Sequence, residues 1–152
     1  MPSAAATRSP ALSDPLATAL YAAEMGELAE LSPVLVKQLF AAIPQLRVSV
    51  PYATLCLMWQ LATDERVSVR ASVARALPWF ADVYPDRAEA LLLPLADDDS
   101  RTVRAAAAEG LRDFLESTSD PNALIARWER YSECAREAVA RARQGLSLSP
   151  RR

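Results

Sequence analysis

Apolar residues recur along this chain at helical spacing, and in two stretches the recurrence is the same. Val69, Val73, Leu77 and Phe80 stand at i, i+4, i+8 and i+11, one stripe of an α-helix. Val103, Ala107, Leu111 and Phe114 repeat the stripe 34 residues later, in a register that also sets Arg70 on Arg104 and Leu61 on Leu95. A polar turn precedes each stripe, Thr63-Asp64-Glu65 in one case and Asp97-Asp98-Asp99-Ser100 in the other. Such side chains accept hydrogen bonds from the free N–H groups of a helix start and suit its positive end. Before each turn lies a second apolar run, Tyr52 to Leu61 and Ala88 to Leu95. The unit is therefore helix, tight turn, helix. One such pair cannot bury its apolar face alone, so neighbouring pairs must stack.

The remainder reads as flanking pairs of the same kind. Residues 1–12 combine small residues with two prolines and are expected to form a tail. Ser13-Asp14-Pro15 signals a helix start, with a helix running to about Leu31. Ser32-Pro33 repeats the signal, and Val34 to Ile43 is expected as a helix stopped by Pro44. Pro78 should end or kink the helix that carries the first stripe. After Ser117–Pro121, the stretches Ala123 to Tyr131 and Glu133 to Leu146 read as a last pair, with 147–152 as a second tail. In that pair Ala135-Arg136 falls on Val103-Arg104 only at an offset of 32, and Arg130 replaces the turn aspartate. The expected organisation is one domain over 13–146, with pairs at about 13–45, 49–82, 85–117 and 120–146.

The two central pairs resemble HEAT repeats. In that family a turn aspartate is followed six residues later by an arginine, itself preceded by valine; Asp64 with Val69-Arg70 and Asp98 with Val103-Arg104 both fit. The resemblance implies an all-α fold, a right-handed α-solenoid of about four HEAT-like helix pairs. It also implies that Asp64, Arg70, Asp98 and Arg104 form a structural ladder between adjacent repeats. In such arrays the second helices line the concave face, and partners bind there.

That implication selects a strip of candidate residues. At 100° per residue, Ala71, Arg75, Pro78 and Asp82 lie opposite the first core stripe, with Trp79 beside them. One repeat on, their places are taken by Ala105, Glu109, Arg112 and Glu116, flanked by Asp113; Glu137, Arg141 and Gln144 follow in the last repeat. A tryptophan beside arginine has the composition of an interface anchor. Trp79 could equally pack on the next repeat.

Composition and charge narrow the chemistry. The net charge is −2, and acids alternate with arginines along the strip, which argues against a phosphate backbone as the ligand. There is no histidine, the usual general base and commonest zinc ligand, and no Gly-rich phosphate loop. No catalytic residue, metal site or cofactor is therefore assigned. Asp97-Asp98-Asp99 reads as turn and cap chemistry rather than a cation site, and Cys56, Met58 and Trp59 read as packing. The two cysteines would stand two repeats apart, beyond disulfide reach, as reduced thiols of a cytoplasmic protein. No run approaches a membrane span, and no secretory signal is expected. The expectation is a non-catalytic protein–protein interaction module, an adaptor or scaffold that holds another protein or a peptide segment. The alternatives are a DNA-binding or alkylated-base glycosylase-like HEAT protein and a bilin-lyase-like one. Self-association through an exposed end of the stack is a further possibility.

Overall fold

In the computed structural model, residues 15–147 are described. They form eight α-helices: α1 Pro15–Glu24, α2 Pro33–Ser49, α3 Pro51–Leu61, α4 Val67–Ala76, α5 Pro85–Leu95, α6 Arg101–Ser117, α7 Pro121–Tyr131 and α8 Glu133–Ser147. No strand occurs among the described residues. The expected tails and the Ser13-Asp14 helix start lie outside them, apart from Ser147, which still belongs to α8.

Five of the helices open on proline, whose missing N–H costs nothing where the first amides have no intrahelical acceptor. Side chains satisfy some of the free amides: Ser32 Oγ accepts from the Leu35 N–H at 3.2 Å, and Asp120 Oδ1 from the Ala123 N–H at 3.1 Å. Two boundaries depart from expectation. α1 ends at Glu24 rather than near Leu31, because Gly26 turns the chain at φ 71°. The Glu27 N–H then donates to the Ala22 carbonyl at 2.7 Å, and the Gly26 N–H to Ala23 at 3.2 Å, a glycine-terminated helix end. Pro44 does not stop α2, which continues to Ser49. Buried Leu39 and Ile43 before it, and partly buried Leu46 after it, hold the segment on the core. That packing outweighs the lost backbone bond. Pro78 has the expected effect: α4 ends at Ala76, and Leu77–Phe80 tightens into a 3₁₀ turn.

The helices pair antiparallel in sequence order, and one continuous apolar core runs through the stack. Both predicted stripes are buried throughout: Val69, Val73, Leu77 and Phe80, then Val103, Ala107, Leu111 and Phe114. Ala135, Ala138, Val139 and Ala142 extend the core along α8, and Trp128 fills its far end from α7.

The second helices are the tight layer. α4 packs along α6 and α6 along α8, whereas α3 and α5 diverge. Small residues permit the close approach: Ala71, Ala74, Ala106, Ala108 and Gly110 are buried between them. A Cβ on Gly110 would meet the Ala74 carbonyl oxygen at 2.5 Å and Leu92 Cδ1 at 3.1 Å, so glycine is required by contact rather than by backbone angle. Tight packing on one side and divergence on the other curve the array towards its second helices. Ala71 was expected to face outward, opposite the core; it is buried, because the neighbouring second helix covers that flank.

Candidate functional site

Two sets of polar side chains cross between repeats. The first lies at the turns. Asp98 Oδ1 accepts from the Ser100 N–H at 2.8 Å and so fixes the turn that starts α6. Arg70 comes from the preceding repeat. Its Nε donates to Asp98 Oδ2 at 2.8 Å and its Nη2 to Oδ1 at 3.0 Å, while Nη1 donates to the carbonyls of Asp64 and Glu65 in its own turn. The arginine thus ties two turns with one planar group. Burial pushes the Asp98 carboxyl up, but the hydrogen bonds from Arg70 and Ser100 together outweigh it and hold the group below its ordinary 3.8.

The other ladder candidates behave differently. Among the described residues Asp64 meets no arginine from the preceding repeat; it is clasped by Arg66, at 2.9 and 3.0 Å. Arg66 carries on to the first pair, where its guanidinium donates to the carbonyls of Leu31 at 2.6 Å and Leu28 at 3.1 Å. Sequence reasoning missed this residue, since main-chain carbonyls leave no signature in a sequence. Arg104 donates through Nη1 to the carbonyls of Asp98 and Asp99, at 2.7 and 3.0 Å. Among the described residues no carboxylate pairs with it.

The second set runs along the inner layer and contains the candidate strip. Trp79 is 46 % exposed. Arg47, from the end of α2, places its guanidinium 5.5 Å from the centre of that ring. The same Arg47 Nη1 donates to the Trp79 carbonyl at 3.1 Å and to Asp82 at 3.0 Å. Trp79 is neither tucked away nor free; nearly half exposed, its ring is in cation–π contact with Arg47. Arg75 reaches Glu109 on the next repeat at 3.1 Å, 34 residues away. Arg112 lies 3.8 Å from Asp113, and its stem runs against Gly145 of α8, where a Cβ would approach Cδ to 2.9 Å. Burial, together with the charges of Glu116 and Glu109, pushes the Asp113 carboxyl above 3.8 despite Arg112. Glu116 and Arg141 are exposed on the same layer. Most members of the strip therefore meet partners of opposite sign, and the surface they form is mixed in charge.

A third feature lies on the other side, where α3 and α5 diverge. A cleft of about 470 Å³ is lined by Tyr52, Leu55, Cys56, Trp59, Arg87, Ala90 and Leu91. Arg87 stacks over Tyr52 at 5.1 Å and over Tyr84 at 5.8 Å. Trp59 was expected in the packing and is instead 67 % exposed. A helix whose neighbour in the same layer diverges leaves one face uncovered, and the apolar pattern of α3 does not reveal which. Met58 is fully buried as expected, and Cys56 is half-buried with a free thiol, as is Cys134. Within Asp97-Asp98-Asp99, the Asp98 carboxylate is taken up by Arg70 and the Ser100 amide.

Stacked antiparallel helix pairs with one continuous core define an α-helical repeat solenoid. The family model describing HEAT repeats matches residues 54–146, and the chain belongs to the HEAT-repeat family. No curated protein and no solved structure gives a significant match. The matched region starts within α3, so the pair α1–α2, which lacks the Asp and Val-Arg signature, lies outside it. No helix among the described residues is long and apolar enough to cross a membrane.

Proposed function

We propose that this protein is a non-catalytic binding module, an adaptor or scaffold that holds a protein or peptide partner along its second helices. The supporting observation is Trp79: a large aromatic surface, half-exposed on the inner layer and fixed by Arg47 before any partner arrives. An anchor ordered in advance gives contact area at low entropic cost. Arg75, Asp82, Glu109, Arg112, Asp113, Glu116 and Arg141 give the same candidate strip charges of both signs, which suits a polar protein surface better than a phosphate backbone. HEAT repeats generally serve protein–protein interaction, and nothing in this reading requires a cofactor.

The exposed Trp59 favours a second reading, in which the partner occupies the cleft between α3 and α5. Affinity capture from the native cells, with and without nuclease, separates the two. Trp79→Ala combined with Arg75→Glu should abolish capture of a nuclease-resistant partner while the circular dichroism spectrum is unchanged, and Trp59→Ala should leave capture intact. Loss with Trp59→Ala alone would move the partner to the outer cleft. Partners that vanish with nuclease would replace the protein-binding reading with a nucleic-acid one.

A further inference from the structure

The connection between α7 and α8 is a single residue, Ser132, whereas the two preceding pairs are joined by five-residue turns, 62–66 and 96–100. Those longer turns carry Asp64 and Asp98. Ser132 matches Ser100 at the start of the second helix, and its Oγ accepts from the Ala135 N–H at 3.0 Å. Ser100 makes no such side-chain bond, so the shortened connection gains a cap and loses the turn that would set a carboxylate before Arg104.

Arg70 shows what this arginine does when that carboxylate is present. Its Nη1 grips two carbonyls of its own turn, which leaves Nε and Nη2 to fork onto Asp98. Arg104 repeats the first half of the arrangement through the same nitrogen, with carbonyls at 2.7 and 3.0 Å. Its other nitrogens make no hydrogen bond among the described residues. It lines a cleft of about 200 Å³ between α6 and α8, together with Arg101, Cys134, Glu137, Ala138 and Arg141. Three arginines thus line the cleft with one acidic residue, Glu137, and Asp97 lies beside Cys134.

We propose that this cleft binds the carboxylate of an acidic side chain supplied by the partner. The two oxygens take Nε and Nη2 of Arg104 as Asp98 takes those of Arg70, and Arg101 and Arg141 add charge from either helix. A planar monoanion matches the fork, whereas a phosphate dianion would bring more negative charge against Glu137. The site joins the second-helix face through Arg141, which also lines the neighbouring cleft of Ala105, Ala108, Glu109, Arg112 and Ala142. The proposal rests on the reading that partners lie along that face, and it adds that the partner segment is acidic at this end.

Titration of the full chain with the blocked tripeptide Ac-Ala-Asp-Ala-NH2, followed through the arginine Nε–Hε resonances, tests it without the partner. The Arg104 resonance should shift and saturate, and that of Arg70, already occupied, should stay in place. The asparagine analogue should produce no shift. Arg141→Gln should weaken binding about tenfold, and Arg104→Lys, which keeps the charge and loses the fork, should abolish saturation at the Arg101 and Arg141 resonances with the helical spectrum retained. Tighter binding of inorganic phosphate, or of Ac-Ala-Ala-Ala-OH with its terminal carboxylate, would overturn the assignment to an acidic side chain. An Arg104 resonance unmoved by all three probes would remove the site. Partner capture is measured separately, so its failure and the failure of this site are distinguishable.

Discussion

Arg70 and Arg104 occupy the same place in successive repeats and do unequal work. The Arg70 side chain is 16 % exposed and that of Asp98 is 13 %, so removing the guanidinium leaves a largely buried carboxylate without its partner. Arg70→Ala should lower unfolding free energy by about 2 kcal/mol, whereas Arg104→Ala, which loses bonds to carbonyls only, should cost about 1 kcal/mol. Urea unfolding of both variants checks the ratio, and equal losses would contradict the unequal pairing. The pH dependence follows from the same residues. Asp64 and Asp98 are both held below their ordinary 3.8, since hydrogen bonding to arginine and backbone outweighs burial. A depressed folded-state value means stability that is fully present above about pH 4 and lost as pH falls through the folded value. The urea midpoint should therefore drop between pH 5 and pH 3, and Asp98→Asn should flatten that drop.

At the scale of elements, the tight layer depends on small side chains where α4, α6 and α8 meet. Gly110 is the extreme case, in the interior of a helix where alanine would ordinarily be preferred by about 1 kcal/mol. Its missing Cβ faces the Ala74 carbonyl oxygen at 2.5 Å, backbone that cannot yield without moving α4. Gly110→Ala should therefore destabilise the protein by about 1–3 kcal/mol despite the gain in helix propensity. A rise in melting temperature would show that the helices can separate at no cost. Element ends follow local chemistry where one residue dominates, as at Gly26 and Pro78. At Pro44 packing overrides it. Leu39 and Ile43 are buried on the same helix, and propensity cannot say how firmly the core will hold them.

At the scale of the molecule, stacking leaves some apolar surface without a neighbour. On the first pair Tyr21, Met25, Val34 and Val48 are all exposed. We propose that a second copy covers these side chains, so that the chain self-associates through its first pair. Light scattering across a concentration series should show a rising mass if it does, and Val34→Asp should then restore the monomer. A constant monomer mass would assign those residues to the solvent or to another partner.

The repeat, its 34-residue spacing and the core stripes were legible in the sequence, because burial of one helical face imposes a period on residue type. The matched turn and arginine were legible for the same reason: both ends of the Arg70–Asp98 contact are side chains, and both recur. What the sequence could not show depends on neighbours far along the chain. Arg66 bonds to the carbonyls of Leu28 and Leu31, atoms that every residue possesses. Ala71 is buried and Trp59 exposed because second helices crowd together while α3 and α5 part, and no periodicity within one helix records the distance to the next. Helical geometry grouped the charged strip in the sequence, but which of its charges neutralise each other was decided by how the repeats stack. Patterns of burial are written locally; the identity of the neighbour is set only when the chain closes on itself.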